Sequence, residues 1–236
     1  MDVLNSILAA QHNQQCLLAV LIDPDKQTDV YQYVNHADLV FVGGSTGQCH
    51  DEFIQKLRSY TNKPIILFPG NSNQVCPSAD ALLFLSVLSS RNADILVGQH
   101  IQCARAVKDS GLEVIPMGYI LIDGGTTSSV MKICQSKPIA PNDNELIVNT
   151  AITAELLGKQ LVYLEAGSGA KNPVSTDIIS DVHNHINIPL IVGGGIRTTT
   201  QMLKTRDAGA NIIVIGNHFE QHAEQIPVFA QALHAN

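Results

Sequence analysis

The sequence predicts an α/β protein, a (β/α)8 barrel in which the covering helix after the third strand is replaced by a loop. Three observations carry this. Eight short, almost wholly apolar runs follow one another along the chain, the pattern of strands buried on both faces of a parallel sheet. Segments with helical periodicity lie between most of them. The 236 residues show no linker or compositional break, which favours one closed barrel over residues 1–236 against an open doubly wound sheet, the alternative arrangement.

Taken in order, residues 3–12 have helical spacing and read as a leading helix. Strands are expected over 16–22, 39–42, 65–68, 81–85, 114–122, 161–165, 190–192 and 212–215, the fifth broken near Pro116. Helices are expected over 30–36, 51–60, 99–110, 144–157, 176–185, 199–208 and 227–234. Between strands three and four, residues 71–79 are too few and too rich in Asn, Ser and Pro for a helix. The next segment, Ala81-Leu82-Leu83-Phe84-Leu85-Ser86-Val87-Leu88, is strongly apolar and borders that gap. It reads either as plain core beside a loop or as one wall of a groove for a long apolar substrate, or of a subunit contact.

Composition narrows the function classes. A formal charge of −7 with 14 Lys and Arg argues against a nucleic-acid partner. No apolar run is long enough for a transmembrane span, and Asp2 with no basic segment after it does not resemble a signal peptide, so a cytoplasmic location is expected. The five cysteines lie far apart without a C-x-x-C pair and are expected to be reduced thiols. His183 and His185 are two apart on a predicted helix and make a poor metal pair; the nine histidines are read as surface or core residues.

In a barrel of this kind the active site forms at the C-terminal ends of the strands. Strand six ends in Tyr163-Leu164-Glu165-Ala166-Gly167-Ser168-Gly169, strand seven in Gly193-Gly194-Gly195 and strand eight in Gly216-Asn217. Glycine-rich turns on successive strands, the last two at the common barrel phosphate position, point to a phosphate pocket built from backbone N–H groups. Arg197 either assists there or is a surface charge at a helix start. Glu165 beside a bound phosphate ester is placed to take a proton from the ligand's hydroxyl; the other reading is a structural ion pair. Strand one ends in Asp23-Pro24-Asp25-Lys26 and strand two in Gly43-Gly44-Ser45-Thr46-Gly47. Asp23 with the Ser45 hydroxyl makes a plausible Mg²⁺ site, since magnesium needs one or two protein oxygens beside substrate phosphate. The competing reading of Asp23-Pro24-Asp25 is a helix-initiating turn.

These motifs, in this order and together with Phe68-Pro69-Gly70-Asn71, closely resemble the geranylgeranylglyceryl phosphate synthase family, whose bacterial relatives include the PcrB heptaprenylglyceryl phosphate synthases. The likeness covers nearly the whole chain and is most specific at Tyr163 to Gly169. It is nearer the family's second group than the PcrB branch, because Leu21 stands where PcrB-like sequences carry lysine. The resemblance implies a Mg²⁺-dependent prenyltransferase that joins sn-glycerol 1-phosphate to a polyprenyl diphosphate, with Asp23 and Ser45 on the metal. It implies that residues 163–169, Gly194, Gly195, Gly216 and Asn217 hold glycerol 1-phosphate, and that Glu165, with Tyr163 assisting, readies the 3-hydroxyl. A homo-oligomer with transient membrane-surface contact is expected. The competing functions are a phosphosugar isomerase or aldolase, recruiting Asp23 or Asp123 as a second acid or base, and a non-catalytic phosphometabolite-binding protein.

Overall fold

The computed structural model describes residues 2–26, 29–44, 50–126, 131 and 137–235. Eight parallel strands, β1 (Leu17–Ile22), β2 (Leu39–Val42), β3 (Ile65–Leu67), β4 (Ala81–Val87), β5 (Glu113–Leu121), β6 (Leu161–Glu165), β7 (Leu190–Gly193) and β8 (Ile212–Ile215), form a closed barrel in sequence order. The ring is sealed by β8 against β1, with Leu17 opposite Ile212 and Val20 opposite Ile215. The predicted barrel is therefore present.

Side chains on a strand alternate between faces, and the alternation sorts the core into two layers. Leu18, Val20, Ile22, Val162, Leu164, Ile213 and Ile215 belong to the outer layer beneath the helices. Ala19, Phe41, Ile66, Leu83, Met117, Tyr119, Leu161, Tyr163, Ile191 and Val214 fill the barrel. Because Leu161 and Tyr163 point inward, so does Glu165 at the top of β6, where it is 7 % exposed. At the bottom, α1 (Val3–His12) contributes Val3 and Ile7 to the interior layer. Glu113 of β5 anchors it by accepting the Leu4 N–H at 2.8 Å.

The covering helices are α2 (Asp51–Arg58), α3 (Gln99–Asp109), α4 (Asn144–Leu156), α5 (Thr176–His185), α6 (Thr199–Asp207), the short α7 (Asn217–Gln221) and α8 (Ile226–His234). Asp143, Ser175 and Thr198 cap α4, α5 and α6 by accepting the N–H three residues on. The segment between β3 and β4 has no helix, as expected.

Four expectations need correction. Residues 30–36 form two 3-10 turns, Val30–Gln32 and Val34–His36, in place of a helix. Val30 and Val34 are both fully buried, so the apolar spacing that suggested a helix is met by tighter turns in a short connection. The fifth strand runs through Pro116, which stands opposite Phe84. The Pro116 carbonyl accepts from Gln160 at 2.8 Å. Its missing N–H would face the same side, below Leu161, where β6 begins. The helix α7 was not anticipated. Cys76 is disulfide-bonded, so the expectation of reduced thiols fails there, while Cys16 and Cys103 are free. Cysteine spacing records separation along the chain and not in space, so it could not reveal this bond.

Candidate active site

One cavity of about 360 Å³ lies across the C-terminal ends of the strands and reaches from the β6–β8 turns to the β3–β4 gap. Its two ends are chemically different.

At the first end the backbone turns are left-handed at Gly167, Gly169, Gly194 and Gly195. Gly194 shows why glycine is needed. Its φ is +86°, and a Cβ there would lie 2.4 Å from Glu165 Oε1. The Ala166 N–H donates to the Gly193 carbonyl (3.0 Å) and the Gly167 N–H to Glu165 Oε1 (2.6 Å). The N–H groups of Ser168, Gly169, Gly194 and Gly195 make no bond within the described residues and border the cavity. Such convergent N–H groups form an anion cup. Ser168 Oγ donates to Asn217 Oδ1 (2.9 Å), which ties the β6 turn to the start of α7. Arg197 settles between its two readings as a strut: its guanidinium donates to the carbonyls of Gly195 (3.0 Å) and Ala170 (2.5 Å), linking the two turns.

Tyr163 and Glu165 stand beneath this cup. Tyr163 is 1 % exposed, with its ring 5.3 Å from Tyr119 and 5.5 Å from Phe68. Its hydroxyl is so close to Gly193 that a Cβ there would lie 2.1 Å away. Burial and the neighbouring Glu165 charge raise the Tyr163 hydroxyl well above the usual phenol range, so it stays protonated and acts as a donor. Burial also raises the Glu165 carboxyl, while hydrogen bonds from Tyr163 and the Gly167 N–H oppose the rise. A desolvated carboxylate held by two donors is a suitable proton acceptor. It carries no cationic partner within 4 Å among the described residues, against the structural ion-pair reading.

Of the residues expected to hold the phosphate, Tyr163, Glu165, Ser168, Gly169, Gly194, Gly195, Gly216 and Asn217 line the cavity. Leu164 and Ala166 turn into the outer layer, and neither they nor Gly167 borders the cavity; the Ala166 and Gly167 N–H groups are engaged by Gly193 and Glu165, so these three shape the turn and do not face the ligand. Asp23, at the end of β1 beside β8, also lines the cavity. Its Oδ1 accepts the Asp25 N–H at 3.1 Å, a local turn, but the helix-initiating reading is not met, since the next helical turn is the 3-10 turn Val30–Gln32, headed by Asp29; the Asp23 Oδ2 lies 3.7 Å from Lys26 Nζ. Turn and cavity-facing carboxylate coexist. Asp25 is drawn away to His50 (3.1 Å). A Cβ on Gly44 would come within 2.8 Å of Asp23 Oδ1, so glycine leaves that carboxylate uncovered, as a single hard oxygen donor for Mg²⁺ requires. Ser45 and Thr46 lie outside the described residues. Asp123 is exposed, bonds the Gly125 N–H at 2.9 Å and does not border the cavity, which leaves the isomerase reading without that acid.

The second end is apolar. Val75 of the β3–β4 loop, Phe84 and Leu85 of β4, and Ile95, Cys103 and Val107 of the following segment line it. A π-helical turn, Asp94–Gly98, precedes α3 and supplies Ile95 to this wall. His100 sits in the groove as a packed residue: its ring is 4.3 Å from Phe84 and its Nε2 is 2.7 Å from the Leu85 carbonyl. Missed from the sequence were the ring cluster under Tyr163 and a contact of Lys26 with Glu220, 194 residues away. The inward register of Phe41 and Tyr119 was the available signal for the rings; a pair so distant in sequence left none.

The chain is similar to proteins named geranylgeranylglyceryl phosphate synthase. It is 47 % identical to that of Zunongwangia profunda, covering 92 % of this chain and 97 % of the relative. It is 39 % identical to that of Korarchaeum cryptofilum, covering 88 % and 89 %. The solved (S)-3-O-geranylgeranylglyceryl phosphate synthase of Thermoplasma acidophilum, in complex with sn-glycerol-1-phosphate, superposes with a TM-score of 0.91 at 31 % identity, covering 99 % of this chain and 98 % of that one. The PcrB family model matches residues 12–233, and the chain belongs to the PcrB family.

Proposed function

We propose that this protein forms the ether bond between the 3-hydroxyl of sn-glycerol 1-phosphate and C1 of geranylgeranyl diphosphate, or a similar polyprenyl diphosphate, and releases diphosphate. The observation that carries this is the continuity of one cavity from an amide-lined anion cup, past a buried carboxylate, into an apolar groove. An enzyme acting on a small phosphosugar alone has no use for the groove. The relatives' names and the glycerol phosphate complex support the same substrates.

In this reading the free N–H groups of Ser168, Gly169, Gly194 and Gly195 hold the glycerol phosphate, and Asn217 bounds it. Glu165 accepts the proton of the 3-hydroxyl, with Tyr163 as the donor that orients the carboxylate. The hydroxyl oxygen attacks C1 as the C1–O bond to diphosphate breaks and its electron pair leaves with the diphosphate. Fixing both partners in one cavity makes the attack effectively unimolecular. Asp23, and Ser45 with it, would hold Mg²⁺, which when bound neutralises charge on the leaving group. The prenyl tail lies in the groove between the β3–β4 loop and α3. Exposed Val97, Ile101, Leu156 and Leu157 favour self-association, with these residues covered.

Incubation with labelled geranylgeranyl diphosphate and sn-glycerol 1-phosphate tests the proposal. A Mg²⁺-dependent ether product is expected; its absence at saturating substrates would overturn the reading. The product's mass over a series of prenyl lengths identifies the chain accepted, and light scattering of the purified protein tests self-association.

A further inference from the structure

The diphosphate must lie between the cup and the groove, and this stretch of the cavity wall is acidic. Asp23, Glu220 and the buried Glu165 all border it. A leaving group with several negative charges is repelled by such a wall unless cations offset it. Two described cations line the cavity, Arg197 and Lys26. The Arg197 guanidinium is occupied by backbone carbonyls. Lys26 is differently placed. Its N–H donates to the Asp23 carbonyl at 3.1 Å, closing a turn that sets the lysine on the same side as the Asp23 carboxylate. Its Nζ donates to Glu220 Oε2 (2.8 Å) and Oε1 (3.1 Å) and stays 3.7 Å from Asp23 Oδ2. An ammonium has three donors, so one remains for the cavity.

We propose that Lys26 binds the diphosphate of the prenyl substrate and stabilises it as the leaving group, with Glu220 parking the lysine at the mouth. This rests on the proposed prenyltransferase reading. As the C1–O bond breaks, its electron pair moves onto the diphosphate oxygen, and the ammonium meets the growing charge there without transferring a proton. Glu220 is on α7, three residues after Asn217, so the lysine's holder is built on the element that also bounds the cup. The bland alternative is a half-exposed ion pair joining the β1 and β8 loops, which would contribute little.

Calorimetric binding of inorganic diphosphate, with EDTA and with Mg²⁺, separates the two when combined with steady-state kinetics and thermal unfolding. Lys26→Ala is expected to weaken diphosphate binding and raise KM for the prenyl diphosphate by about 10- to 100-fold, the scale of a charge-assisted hydrogen bond. KM for glycerol 1-phosphate should stay unchanged, and Lys26→Arg should restore most of the loss. Glu220→Gln breaks the ion pair but keeps the cation, so diphosphate affinity should persist. Unchanged diphosphate binding in Lys26→Ala overturns the proposal. So does a Glu220→Gln variant that loses as much as Lys26→Ala, or an equal rise in both KM values with a lowered Tm; each outcome marks a structural clasp. If the unmodified protein makes no ether product, the prenyltransferase reading fails; if it does and Lys26→Ala retains diphosphate affinity, this inference alone fails.

Discussion

The two ends of the cavity are built from different parts of the chain. On the β6–β8 side the ligand-facing groups are backbone N–H groups of turns tied together by Ser168 to Asn217 and by Arg197 to three carbonyls. On the β3–β4 side they are side chains, on a loop without a helix and on α3 behind a π-helical turn. A backbone cup recognises one small charged shape and cannot adjust, whereas an apolar side-chain wall accommodates length and pays little attention to detail. The reacting carboxylate stands where these regimes meet.

The comparison can be tested most severely at that junction. Glu165→Gln should lower turnover by about 10²- to 10⁴-fold while glycerol 1-phosphate still binds by calorimetry; undiminished turnover would remove Glu165 as the base. Because burial raises its carboxyl above the usual 4.5, activity should fall on the acid side at a higher pH than an ordinary carboxylate would give. The sign for stability is opposite. A folded-state value above the unfolded one favours the fold below pH 4.5, and that contribution is lost as pH rises through the folded value. Glu165→Gln should therefore raise Tm at pH 8 relative to the unmodified protein, and the gain should vanish below pH 4.5.

Next in size is Gly194→Ala. The positive φ and the clash with Glu165 Oε1 should cost about 1–3 kcal/mol in stability, read as a lower Tm together with at least about tenfold weaker glycerol phosphate binding. A methyl of the same size removed or added in the groove should be tolerated, and equal sensitivity at both ends would break the comparison. A larger change is needed there. Cys103→Phe should fill the groove and raise KM for long prenyl diphosphates by about tenfold, roughly the discrimination of one or two methylenes in an apolar pocket, with KM for glycerol phosphate unmoved. The smallest effect belongs to Ser168→Ala. Loss of its bond to Asn217 should cost about 0.5–1.5 kcal/mol, a severalfold weaker glycerol phosphate affinity at unchanged prenyl KM.

What was legible in the sequence follows the same division. β2, β6 and β8 have the expected limits because each is an unbroken apolar run ended by a glycine turn or a charged residue. The loop after β3 was legible from its Asn, Ser and Pro content. Local pattern failed where tertiary context decided the outcome: Val30 and Val34 satisfy a helical period yet sit in 3-10 turns, and Pro116 continues a strand because its missing N–H falls just below the first β5–β6 pair, Met117 with Leu161. At the site, glycine turns and strand-end carboxylates announced themselves by residue type and position. The Lys26–Glu220 pair, the strut role of Arg197 and the close approach of Tyr163 to Gly193 depend on which loops meet across the rim, and a linear pattern carries no record of that.

The absent helix after β3 has a thermodynamic consequence. A barrel stabilises itself by covering its outer apolar layer, and between β3 and β4 a loop stands where a covering helix would. A prenyl tail lying there would finish the wall, so part of the free energy that a helix would lend permanently to folding is lent instead by the ligand, and only while it is bound. Ligand-induced gain in stability should then grow with each added isoprene unit until the groove is full, through mass action on the folded state. Melting the protein with a ladder of non-hydrolysable prenyl diphosphate analogues would display the groove's length as the point where Tm stops rising.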